Sequence, residues 1–139
     1  MVLAPDLPIY KREITMKLGH IFQSIKTWQT LSSLKMHPQT AYQILKYSRL
    51  IAAEYEIAEK QRVALIREIT GITEGDATIE PGTDQFTDYV TRFNEILATE
   101  SDLPQYNGSL FDVLSALNKD QNVLSAQDLS QLEVFFKQQ

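Results

Sequence analysis

Cysteine is absent from the 139-residue sequence, which excludes disulfides, thiolate metal sites and cysteine nucleophiles. Histidine is scarce: His20 and His37 stand alone, and neither belongs to a Glu-x-x-His or His-Glu-x-x-His arrangement, so a metal site would need mostly carboxylates. The run Glu54-x-Glu56-x-x-Glu59 does not make one, because residues two apart on a helix point in different directions. Glycine and proline number five each. Gly71, Gly75 and Gly82 are too scattered for a phosphate cradle, no Gly-Lys-Ser/Thr occurs, and no serine sits in a Gly-x-Ser-x-Gly elbow. Long apolar runs are missing too. None reaches 18 residues, so no membrane span is expected, and Met1 to Leu18 lacks the continuous apolar core of a secretory leader. The expectation is a non-enzyme with no catalytic residue, no cofactor and no metal.

What the chain does have is the composition of a single globular domain, 43% hydrophobic and 22% charged. Its charge is unevenly spread. Residues 1–70 hold ten Lys/Arg against six acids (+4), and residues 71–139 hold three against twelve (−9), giving the net −5. An acidic second half argues against wrapping a nucleic acid, whose affinity depends on neutralised phosphates. Lys11, Arg12, Lys17, Lys46 and Arg49 leave a nucleic-acid module as a rival reading. A dipolar, solubilising surface explains the split more simply.

Four stretches organise the chain. Residues 1–17 read as an arm, with Pro5 and Pro8 interrupting pairing and a short strand expected where Ile14, Met16 and Leu18 alternate. Residues 18–70 read as a long antiparallel helical hairpin. Its first helix, Leu18 to Leu34, carries Leu18, Ile21, Phe22, Ile25, Trp28 and Leu31 at three- and four-residue intervals. Its second runs from Pro38, suited to a first helical turn, to about Thr70, with Gly71 at the stop. Glu56–Lys60 and Glu59–Arg62 have the spacing of intrahelical ion pairs. Residues 71–83 form an acidic connector with a short strand expected at Ala77–Ile79, and residues 84–139 hold three shorter helices. The last is capped by Ser125, with Asp128 three residues on. The fold class expected is all-α, with one short N-terminal strand.

The second helix is the informative element. Thirty-three residues make a rod of about 50 Å, longer than a globule of roughly 30 Å. One face reads Ala41, Ile44, Ser48, Ile51, Tyr55, Ala58, Arg62, Leu65, Ile69, alternating threes and fours as a coiled-coil seam does. The overhang favours part of this seam meeting another chain; the alternative is a hairpin whose own helices cover it. Lys46, Tyr47 and Arg49 lie to the other side of the helix, an aromatic beside two cations of the kind enriched in contact hot spots. Together Lys46, Tyr47, Arg49, Ile51, Tyr55 and Arg62 form the candidate interaction surface.

The opening Ile14-Thr15-Met16-Lys17-Leu18, the stretch Leu31-x-x-Leu34-Lys35-Met36-x-Pro38, the helix end Arg62-x-x-Leu65-Ile66, the segment Phe93-Asn94-Glu95-Ile96-Leu97 and the tail Leu124-Ser125-Ala126-x-Asp128-Leu129-x-x-Leu132-Glu133 resemble small proteins of unknown function from tailed bacteriophages. The resemblance implies a viral protein located in the host cytoplasm or the virion, structural or assembly-related, whose partner is itself or another phage protein. It transfers no functional residue. The rival is a small acidic inhibitor or adaptor bound to a host enzyme.

Overall fold

Pro38 and Gly71 bound the longest element where their backbone chemistry requires. The computed structural model describes residues 16–121 and 123–137, and in chain order these form β1 (Met16–Lys17), α1 (Leu18–Ser33), α2 (Pro38–Thr70), α3 (Asp84–Leu97), β2 (Glu100–Ser101), α4 (Leu110–Ser115) and α5 (Ala126–Glu133). The mainly-α class follows. Pro38 occupies the first turn of α2, and the His37 ring accepts from the Gln39 amide at 3.4 Å. At the other end Gly71 takes φ 77° and donates to the Arg67 carbonyl at 2.8 Å, a left-handed cap that costs a glycine little. Ser125 and Asp128 close a reciprocal capping box on α5 at 3.1 and 2.9 Å.

α1 packs antiparallel against the N-terminal half of α2. α3 packs against the C-terminal half, its Gln85 side chain donating to the Ile69 carbonyl at 3.3 Å. The end of α3 abuts the start of α1. A Cβ on Gly19 would stand 3.2 Å from the Leu97 carbonyl oxygen, so glycine allows this close approach. The Leu18 amide donates to Thr99 O at 3.0 Å, and β1 pairs antiparallel with β2 in the register Met16↔Ser101 and Lys17↔Glu100. Sixteen residues of α1 and fourteen of α3 together make about 45 Å of helix at 1.5 Å per residue. Laid end to end, two short helices cover nearly the whole of one long one.

This arrangement corrects the expectation that the overhanging seam meets another chain. Ile44, Ile51, Ala58 and Leu65 are buried, and Ala41, Ser48, Tyr55, Arg62 and Ile69 are half-buried, all by the chain itself. Of the short strand expected where Ile14, Met16 and Leu18 alternate, Met16–Lys17 is present as β1 and Leu18 already begins α1; residues 1–15 lie outside the described part. Ala77–Ile79 is not a strand but irregular connector, paired with no strand among the described residues. Glu59 and Arg62 pair at 2.6 Å, whereas Glu56 and Lys60 do not pair among the described residues.

The core centres on Trp28, 1% exposed, with Tyr47, Phe135 and Phe136 ring centroids 5.3, 5.3 and 5.7 Å away. The C-terminal segment reaches it because Tyr106 N donates to Phe135 O at 2.8 Å and Lys137 N donates to Gly108 O at 3.1 Å. A second aromatic row, Tyr55–Phe22–Phe93–Tyr89, joins α2, α1 and α3 with centroid spacings of 5.2, 5.3 and 5.6 Å. Edge-on and offset ring contacts of this kind add to simple area burial.

Candidate functional site

With its inner face covered, α2 presents one long outer face. The six residues singled out from sequence divide between the two. Ile51 is fully buried and Tyr55 is stacked on Phe22. Arg62 is half-buried, its Nε and Nη2 donating to the two Glu59 carboxylate oxygens at 2.6 and 2.8 Å. That fork holds the Glu59 carboxyl below and the Arg62 guanidinium above their ordinary values. These three residues belong to the inner packing.

Tyr47 is a correction. It is 6% exposed, not a surface residue, and its hydroxyl donates to the Pro104 carbonyl at 2.7 Å. The physical reason is its position, three residues after Ile44 and four before Ile51, which turns the ring inward against Trp28. Burial pushes its phenol well above the usual tyrosine range, offset in part by the Tyr106 backbone. Burial also raises Tyr106. The linkage sign follows. Below about pH 10 both the folded and unfolded chains keep these protons and the slope is zero. At higher pH the unfolded chain releases them first, so stability falls as pH rises. Tyr47→Phe is expected to shift alkaline unfolding to higher pH, read by circular dichroism alongside tyrosinate absorbance. An unchanged alkaline transition would show that Tyr47 does not couple to it.

Lys46 and Arg49 are exposed. The Lys46 ammonium lies over the Tyr42 ring, 5.4 Å from its centroid. Around them are exposed apolar side chains outside the six: Tyr42 is 62% exposed, Leu50 48%, Ile57 50% and Val63 38%, and Leu45, which by sequence widens the inner seam, is 42% exposed instead. Ala53 and Ala64 are exposed beside them. The available signal was the residue column seven apart, Tyr42, Arg49, Glu56 and Val63, which is less apolar than the inner stripe.

A groove flanks this face on either side. One, of about 360 Å³, lies between Gln43, Lys46 and Leu50 of α2 and the segment Pro104–Asn107. It is floored by Tyr47 and by Tyr106, whose hydroxyl donates to Gln43 Oε1 at 3.1 Å. The other, of about 240 Å³, runs between Ile25, Gln29 and Ser32 of α1 and Arg49 and Ala52 of α2. Beneath it the Trp28 indole N–H is buried without an acceptor among the described residues. Among the described residues no group of three or more His, Asp or Glu is placed to hold a metal ion, and no helix is long and apolar enough to cross a membrane. The arrangement offers shape, apolar area and mixed charge along a rigid rod. No family model matches the chain, and no curated protein or solved structure matches it significantly.

Proposed function

We propose that this is a non-catalytic viral structural or assembly protein that works through helix-mediated protein contacts made by the outer face of α2. One observation carries the contact surface: on a helix whose opposite face is already buried, Tyr42, Leu45 and Val63, 38% to 62% exposed, flank the charged column of Arg49 and Glu56, with Leu50 and Ile57 exposed on the adjoining side. Single exposed apolar residues are ordinary on a protein surface, but several of them beside unpaired charges of both signs on one rigid element suit a contact site. The viral setting, in host cytoplasm or virion, rests on the resemblance of the sequence patterns to tailed-phage proteins. The mixture of Lys46, Arg49 and Lys60 with Glu56 on this face suits a protein partner better than a polyanion.

The test is a photo-crosslinking residue in place of Ala53, irradiated in the cells that produce the protein, with the same residue at exposed Glu133 as control. Adducts to a polypeptide, whether another protein or a second copy, are expected from position 53 in excess of position 133. Equal yields from the two positions would overturn the reading.

A further inference from the structure

We propose that the occupant of this face is a second copy of the chain, docked antiparallel about a two-fold axis that passes between Ala52 and Ala53. The proposal rests on the outer face of α2 being the contact surface and adds the identity and register of the partner.

The argument is self-complementarity. Tyr42, Arg49, Glu56 and Val63 fall seven residues apart, and a heptad column stays on one side of a helix. An antiparallel two-fold between residues 52 and 53 carries position 49 onto 56 and position 42 onto 63. Arg49 of each copy then meets Glu56 of the other, twice in the pair, and Tyr42 meets Val63 at both ends. Among the described residues neither Arg49 nor Glu56 has an ion-pair partner within the chain, so both are available. One further exposed position fits this register, while Leu50 and Ile57 fall to the side of it. Leu45 is carried onto Lys60, whose methylene stem can lie along it while the ammonium stays in water. At the axis Ala52 faces Ala53, and side chains this small let two helices approach closely. A parallel pairing in register would set Arg49 on Arg49 and Glu56 on Glu56. A closed two-fold pair uses the same patch on both subunits, as such interfaces require.

The experiment is sedimentation equilibrium of the full chain across a tenfold range of concentration. It compares the wild type with Arg49→Glu, Glu56→Arg and the double exchange. The wild type is expected to dimerise. Each single variant, which places like charges opposite one another at both contacts, should weaken association by at least roughly tenfold. The double variant, which restores opposite charges, should return to within a few-fold of wild type. Both sites are exposed, so the thermal midpoint at a monomeric concentration should not move, and this separates loss of association from loss of fold. Single variants that associate like wild type, or a double variant as weak as the singles, would overturn the register. A wild type that stays monomeric throughout would overturn the dimer; adducts to other polypeptides at position 53 would still leave the contact surface standing.

Discussion

Ile51→Asp is expected to destabilise the fold by about 4 kcal/mol or more, enough to leave little folded protein, whereas Ile57→Asp should change stability by no more than about 0.5 kcal/mol. The two substitutions are chemically identical and lie six residues apart on one helix. They differ only in environment: Ile51 is 0% exposed within the core and Ile57 is 50% exposed. Removing the Ile51 side chain forfeits its burial and leaves a cavity, and the new carboxylate must be desolvated with no partner beside it. At position 57 the carboxylate stays in water. Urea denaturation of both variants reads the difference directly. Similar losses at both positions would mean that the inner and outer faces of α2 are wrongly assigned.

Trp28→Ala is the second large effect, about 3–5 kcal/mol. The ring touches α2 through Tyr47 and the C-terminal segment through Phe135 and Phe136, so one truncation loosens three parts of the molecule at once. Trp28→Phe should cost distinctly less. The indole N–H has no acceptor among the described residues, so its removal forfeits no hydrogen bond. A Phe variant as damaged as the Ala variant would show that the indole nitrogen carries an interaction not accounted for by packing. Thermal unfolding of the two variants decides between them.

Local chemistry explains which parts of this fold are legible in the sequence. Pro38 and Gly71 bound α2 because each acts through its own backbone, and Ser125 with Asp128 marks the start of α5 for the same reason. The apolar intervals of α1 give its buried face directly. What faces the stripe on α2 is not written locally. It depends on α3 running end to end with α1, and that junction is held by pairing of Met16 with Ser101, by the Leu18 amide on Thr99 and by the room that Gly19 leaves for Leu97. Without those distant contacts, a rod of about 50 Å looks longer than its own domain. Tyr47 could have been placed correctly, since the spacing Ile44–Tyr47–Ile51 sets it on the inner face. Its neighbours in sequence, Lys46 and Arg49, drew it instead to the surface.

The proposed contact surface is half legible for a related reason. Lys46 and Arg49 are on it, while Ile51, Tyr55 and Arg62 are inside. A strong apolar stripe is a signal of burial first, and the chain's own helices satisfy it. The face that remains is the weaker one, where apolar residues alternate with charges of both signs. Such a face is stable in water, because Arg49, Glu56 and Lys60 keep it hydrated and single apolar side chains are tolerated at a protein surface.

The two-fold pairing of α2 is tested most directly by introducing one cysteine into a chain that has none. Ala53→Cys lies beside the proposed axis, within the range a disulfide can bridge between two closely packed helices. Ala64→Cys is also exposed, but the same register puts it roughly 35 Å along the helix from its copy. Mild oxidation followed by non-reducing electrophoresis should give covalent dimer at position 53 and monomer at position 64. Equal crosslinking at the two positions, or none at position 53, would contradict the pairing.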